Sequence, residues 1–314
     1  MKKRPQILYK YFIEERVEIL ENGLIRYTQP GLFNDPFEAF PYLKSITNTD
    51  IIDEYSNKID DQDSGIKQRI FEIIENDSQF KSLPAHQKVL ARRMVEANTD
   101  SVISKFAPMA KELFRSSMKL EGPAGKEMIK RFVNAVNSTI GILCLTDTYK
   151  NLLMWSHYAN SHKGFVLGFN TDHKIFNKSD SNFGLFGYLK DVRYTKIRPE
   201  TILFDTRKDK ESNLDNWVKN FIWVKSSHWR YENEWRILEQ LKMSFTQIKV
   251  NSELIHLYKI PFDAIHCIYL GCKMPNEQKN KISNIIKDNS SLKHITIIQA
   301  EMDNKEYKLN FKII

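Results

Sequence analysis

The hydrophobic period of this chain changes twice, and that change constrains its fold more than any other feature. From about Ser45 to Ser138, apolar residues recur every three or four positions in IKQRIFEIIEND, PAHQKVLARRMVEAN, TDSVISKFAPMAKELFRSSMK and GKEMIKRFVNAVN. Charged residues fill the opposite faces, as in amphipathic helices. On either side, short runs rich in β-branched and aromatic residues stand between turn signals, as strands do. Ile7–Phe12, Thr139–Thr146, Gly164–Phe169, VRYTK, ENEWRIL, LIHLYKI and AIHCIYLG are such runs, and a helix is expected over Asn276–Lys287. HITIIQAEM and YKLNFKII read as a closing hairpin over Asp303 and Asn304. Strands at both ends with helices between predict an α+β fold with a mixed or antiparallel central sheet. No repeat, low-complexity tract or linker interrupts the sequence. The expectation is therefore one domain over residues 1–314 with a mainly helical insertion at about 45–138.

Finer signals place the ends of elements. Gly23 suits the C-terminal cap of a short helix carrying Val17, Leu20 and Leu24. Asn34-Asp35-Pro36 predicts an Asx-type turn, either purely structural or part of a loop closing over a ligand. Pro84 fits a first helical turn, Thr99 a helix cap, and Pro108 a kink or break. Glu211–Ser226 reads as a helix leading into four tryptophans at six-residue intervals, Trp217, Trp223, Trp229 and Trp235. Six steps of about 100° return to a different side of a helix, so these rings do not share one helical face. Trp217 and Trp223 are expected to pack a helix, with Trp229 and Trp235 flanking the carboxylates Glu232 and Glu234.

Composition narrows the function classes. The 314 residues are 41% hydrophobic and 27% charged, which suits a globular chain able to bury a large core. The basic start MKKRPQ runs into ILYKYFIEE without an apolar leader, and no run is long enough to span a bilayer. Three cysteines, Cys144, Cys267 and Cys272, point to a reducing cytoplasm. The formal charge of +8 suits an acidic partner such as nucleic acid or a phosphorylated cofactor, although the lysines are dispersed. No metal is expected, because His157 and His162 lack the HExxH glutamate and Cys267 with Cys272 has no second pair. A P-loop and a dinucleotide GxGxxG are absent, and Gly184 and Gly187 are too sparse to replace them. Neither Cys144 nor Ser156 beside His157 has the setting of an activated nucleophile.

Two clusters remain. MWSHYANSHKG gathers Trp155, Ser156, His157, Tyr158, His162 and Lys163, which either stack on and hydrogen-bond a polar ligand or staple a corner of the core. In an extended YENEWR segment, Glu232 and Glu234 point to one face, where they serve chemistry or pair with Lys225, Arg230 or Arg236.

LYKYF, FNDPFE, CLTDTYKNLLMWSHYANSHKGFVLGF and WRYENEWRIL, in this order, resemble the bacterial domain-of-unknown-function family 2971. The chain more distantly resembles the ADP-ribosyltransferase superfamily. It shares a first strand with a Tyr-cation pair (Tyr9-Lys10), a helix leading to Gly23-Leu24, and a Glu-x-Glu before an apolar strand. A lysine stands where those enzymes carry arginine or histidine, and a Ser-Thr-Ser triplet is lacking. The second resemblance implies an enzyme acting on NAD, either transferring ADP-ribose to a macromolecule or hydrolysing NAD, in a toxin or phage-defence setting. It implies that Glu234 stabilises the ribose cation, Glu232 acts as general base, and Ser156 or Tyr158 takes the middle role. Tyr158 or a tryptophan such as Trp155 would stack on nicotinamide, and Lys10 with His157 or His162 would meet the pyrophosphate. Tyr9 and Asn34 complete the expected binding set. Two alternatives stay open: a non-catalytic nucleotide or nucleic-acid binder, and a metal-independent ribonuclease using His157 or His162.

Overall fold

The computed structural model describes residues 2–39, 42–178, 186–208 and 217–314. In chain order its strands are β1 Ile7–Phe12, β2 Leu24–Tyr27, β3 Tyr42–Thr47, β4 Ile140–Thr146, β5 Phe165–Asn170, β6 Lys190–Asp191, β7 Arg193–Thr195, β8 Glu200–Phe204, β9 Val224–Ser226, β10 Glu234–Gln240, β11 Thr246–Val250, β12 Glu253–Lys259, β13 Ile265–Leu270, β14 Thr296–Met302 and β15 Leu309–Ile313. The labelled helices are α1 Ile19–Asn22, α2 Thr49–Asn76, α3 Ser78–Ser82, α4 Ala85–Ser117, α5 Pro123–Thr139, α6 Leu152–Tyr158 and α7 Asn276–Asp288. The fold is α+β, and its central sheet is mixed.

The chain divides into two compact units. One comprises Met1–Tyr42, Val133–Pro199 and Asp215–Ile314; the other comprises Leu43–Phe132 and Glu200–Leu214. The second unit is mainly helical. In it α2 packs on α4, and Arg115 pairs with Asp53 at 2.9 Å across the two helices. Thr99 does not cap a helix but lies inside α4, which continues unbroken through Pro108. A proline there lacks the N–H that would bond the carbonyl four residues back, so the helix bears that loss instead of ending. Pro84 stands at the N-cap, one position before the first turn.

The first unit holds a sheet in the order β15-β14-β13-β5-β1-β4-β10-β6, antiparallel except between β13 and β14. Strand alternation sends Leu8, Leu143, Leu145, Leu167, Trp235 and Ile237 into a large apolar core. The other face carries a smaller cluster around Tyr9, Tyr11, Trp155 and Tyr269. Gly23 caps α1 in the left-handed region at φ 63°, and Ile260 O would lie only 2.8 Å from an added Cβ. Glycine is therefore required there on both counts.

One irregularity organises the rest. β1 pairs with β5 along its whole length and β4 pairs with β10 likewise, whereas β1 and β4 meet only at Tyr9 and Thr146. Away from that pair the two strands splay apart. The opposite end of β4 is taken up by Thr28, just past β2, which exchanges two 2.9 Å backbone hydrogen bonds with Ile142. The second sheet, β11-β12-β2, thus joins the first where the first opens.

Other expectations shift at their edges. The last connection is longer than a two-residue turn: Asp303 N–H bonds Lys308 O, and the Asp303 carboxylate accepts from the N–H groups of Lys305 and Glu306. Of the helix expected over 211–226, residues 211–216 lie outside the described residues, 217–221 are helical, and 224–226 form β9. Gly184 also lies outside the described residues. Among the described residues, no helix is long and apolar enough to cross a membrane.

Candidate functional site

The splay between β1 and β4 opens into a cleft of about 270 Å³. Lys10 enters from β1 and donates from Nζ to Cys144 O at 3.1 Å, bonding a carbonyl on the far side of the split. Burial pushes its ammonium below the usual lysine value. Arg26 on β2 lines the same end; its Nε is buried without a hydrogen-bond partner among the described residues. Cations thus form one pole of the cleft.

A second, acidic pole is set by a turn before β10, with Glu234 close enough to favour the charged form of Lys10. Residues Ser227–Glu232 form a 3-10 turn that Asn233 closes in the left-handed region at φ 44°. Asparagine tolerates that conformation better than most side chains do. The turn is pinned at three points. Thr146 Oγ1 donates to Glu232 O at 2.5 Å, Asn151 Nδ2 donates to Tyr231 O at 3.2 Å, and Glu234 N–H donates to the Tyr194 hydroxyl at 2.8 Å. Glu232 and Glu234 therefore both reach the cleft, through a bent backbone and not through the alternation of an extended strand.

Their carboxylates belong to a buried network. Lys225 Nζ on β9 lies 2.6 Å from Glu232 Oε2, 3.0 Å from Glu234 Oε2 and 3.3 Å from Glu38 Oε2. Arg236 holds Glu234 in a two-point grip, Nε to Oε1 at 2.7 Å and Nη2 to Oε2 at 3.1 Å, and also pairs with Glu38. Tyr158 donates from its hydroxyl to Glu232 Oε1 at 2.6 Å. Burial opposes ionisation of Glu234, but Arg236 and Lys225 outweigh it and hold the carboxyl well below the usual carboxylate range. Glu38 goes the other way: burial raises it despite Arg236 and Lys225, with Glu234 adding to the rise. Lys225 is held above its usual value by Glu234, Glu38 and Glu232 against the effect of burial. Three carboxylates against two cations leave this pole with one negative charge in excess, which a proton on Glu38 or a positive centre in the cleft would balance.

Aromatic rings complete the walls. Tyr9 and Tyr11 come from β1, Phe33 from the loop after β2, and Trp229 from the turn. Arg236 lies over the Phe33 ring at 5.4 Å and Lys225 over the Trp229 ring at 5.1 Å, within cation–π range. Asn34 lines the cleft beside Asp35, whose side chain accepts from Phe37 N–H at 2.9 Å in an Asx turn. That turn leads to Glu38.

The structure brings together Tyr9, Lys10, Asn34, Tyr158, Glu232 and Glu234 of the sequence-expected set. It leaves Trp155, Ser156, His157 and His162 off the cleft. Trp155 is fully buried, donates from its indole to Tyr149 O at 2.7 Å and lies parallel to the His162 ring at 6.3 Å. Ser156 and His157 face solvent. These residues make a core corner, because a helix of only two turns presents just Met154 and Tyr158 to the cleft. Of the four tryptophans, Trp217, Trp223 and Trp235 are buried, with Trp223 just past the helical residues, and Trp229 alone lines the cleft. The residues not foreseen as site members are Glu38, Arg26 and Thr146, and Lys225 and Arg236 enter as constituents of the site as well as pairing partners. The pinned NDPFE turn was the local signal that could have found Glu38. Burial and nearby Glu234 push the Cys144 thiol up, away from a nucleophile's range. Among the described residues, no group of three or more His, Cys, Asp or Glu could hold a metal ion.

Residues 154–237 match a family model described as "Protein of unknown function (DUF2971)". That segment contains MWSHYANSHKG and YENEWR, and so supplies Tyr158, Lys225, Glu232, Glu234 and Arg236; LYKYF and FNDPFE lie outside it. No curated protein and no solved structure matches the chain.

Proposed function

We propose that the chain cleaves the bond between nicotinamide and ribose in NAD, passing ADP-ribose to a macromolecular acceptor or to water. The make-up of the cleft supports this reading: Lys10 and Arg26, a carboxylate cluster with an excess negative charge, and aromatic rings line one cavity. Breaking that bond releases neutral nicotinamide and leaves an oxocarbenium-like ribose, whose positive charge a fixed anion stabilises. Glu234, kept ionised by Arg236 and Lys225, is that anion. Glu232 accepts a hydrogen bond from the Tyr158 hydroxyl, which burial and Glu232 keep protonated, and it is placed to receive the proton of the incoming hydroxyl or amine. Lys10 and Arg26 suit the diphosphate, with Arg26 taking the role that the sequence assigned to the histidines. A cleft of about 270 Å³ suits the nicotinamide riboside end more than a whole dinucleotide.

A second reading rests on a different observation. Both oxygens of Glu234 and both of Glu232 already accept hydrogen bonds, as in a purely structural network in a protein that binds nucleotides without turnover. Nicotinamide release from labelled NAD separates the two, measured with and without RNA, DNA and protein. Glu232→Gln and Glu234→Gln should each lower release by about 10²- to 10³-fold. NAD binding without any release in the wild type, across all acceptors, would leave the binding reading standing and end the catalytic one. The ribonuclease reading is the least supported of the three, because neither of its histidines lines the cleft: His157 faces solvent and His162 lies against Trp155.

A further inference from the structure

A second cavity, of about 470 Å³, adjoins the cleft, and Asp35, Lys225 and Trp229 belong to the walls of both. The shared wall lies at the carboxylate pole, because Lys225 is the residue that gathers the three glutamates. Lys10 and Arg26, at the phosphate pole, do not line the second cavity.

Its lining has an unusual pairing of chemistries. Phe37 and Tyr42 are 62% and 48% exposed, large rings left facing solvent. The Arg198 guanidinium lies over both, at 5.5 and 5.9 Å from the ring centres. Lys196 and His228 add to the rim, and Asp35 is the single carboxylate among the lining residues. Exposed aromatic faces beside cations are how proteins hold single-stranded nucleic acid, with bases on rings and phosphates on lysine and arginine.

We propose that this second cavity binds one nucleotide of a single-stranded nucleic acid, its base against Phe37, Tyr42 and Trp229 and its phosphate at the Lys196–Arg198 rim. Its place beside the carboxylates makes that nucleotide the acceptor. The ribose carbon left by nicotinamide sits at the acidic pole, and a hydroxyl or ring nitrogen entering across Trp229 reaches it there. The new bond forms from acceptor to ribose carbon, nicotinamide departs with the bonding pair, and the acceptor's proton passes to Glu232. The acceptor role rests on the NAD-cleavage reading; the nucleotide site itself does not.

The test is binding of a fluorescently labelled twelve-nucleotide RNA or DNA strand to the full chain, followed by anisotropy at several salt concentrations. Phe37→Ala should weaken binding by about 10-fold or more while changing the salt slope less than Lys196→Ala does, since it removes a stacking ring and no charge, and Tyr42 still carries the Arg198 guanidinium. Lys196→Ala should weaken binding and reduce the slope of log affinity against log salt by about 0.7, one phosphate contact. Both side chains are exposed, so the variants should fold as the wild type does, which circular dichroism checks. Saturating NAD should leave strand binding in place. Displacement of the strand by NAD would assign the cavity to the dinucleotide and overturn the proposal, as would wild-type binding by both variants. Strand binding that depends on Phe37, in a protein that releases no nicotinamide, would sink NAD cleavage and the acceptor role with it, while the nucleotide site stood. Nicotinamide release without strand binding would do the reverse.

Discussion

The two units of this chain use the same ion pairs to opposite ends. In the helical unit, Arg115 meets Asp53 and Lys58 meets Glu54, both at 2.9 Å with side chains between 39% and 56% exposed. In the sheet unit, Lys225 and Arg236 meet Glu38, Glu232 and Glu234 at similar distances with side chains at most 6% exposed. Water screens the first set, and each such pair contributes about 0–1 kcal/mol. The second set has lost its hydration, so each charge depends on its partners for solvation. Such pairs do little for net stability, but they fix the protonation and aim of a carboxylate. Distance alone does not distinguish an ornament from a site; burial does.

The largest effect should come from removing a buried cation. Arg236→Met leaves Lys225 alone to offset Glu38, Glu232 and Glu234, and should destabilise by about 3–5 kcal/mol in urea unfolding. Adding Glu234→Leu to that variant should recover a good part of the loss. A loss under about 1 kcal/mol would mean that the buried pairs behave as surface ones do.

Acidity tests the same contrast from within the cluster. Glu38 has its folded pKa raised above the ordinary glutamate value of 4.5. Its contribution to stability is therefore fully present below 4.5 and is lost as pH rises through the raised value. Glu234 has the opposite sign: its contribution is present above 4.5 and lost as pH falls through a much lower folded value. The stability profiles of wild type and Glu38→Gln should therefore coincide in acid, with the variant becoming the more stable as pH rises through the raised value. Parallel profiles would show that ionising Glu38 costs nothing, and the excess negative charge would then be no feature of the cleft. The smallest effect should be that of Arg115→Ala, within about 1 kcal/mol by the same unfolding measurement.

How much of this was legible in the sequence depends on how local the cause is. β1, β4, β5, β10 and β13 announce themselves as runs of β-branched and aromatic residues, because strand propensity and burial on a sheet act residue by residue. The α+β arrangement follows from their order. Glu232 and Glu234 were legible as a pair, but for an inexact reason: extended alternation was expected, and a 3-10 turn with a left-handed Asn233 does the work. Trp155 and His162 misled because an aromatic, polar segment looks the same whether it faces a ligand or closes a corner. Glu38 was legible only as the end of the NDPFE loop, since its partner Arg236 lies 198 residues away, and Arg26 carried no local signal. The decisive event, β1 and β4 parting after a single paired position, is a property of three strands together and has no signature in any one of them.

The bend at Asn233 has a consequence for how this site can vary. Thr146, Asn151 and Tyr194 grip the chain at Glu232, Tyr231 and Glu234, so the backbone is held from outside on both sides of the bend. Losing or gaining one residue there would advance β10 by one step against β4, turning Glu234 and Arg236 into the apolar core and Trp235 out toward the cleft. A change of side chain can be absorbed by its neighbours, but a change of length cannot. The spacing of YENEWR is thus more tightly constrained than most of its letters.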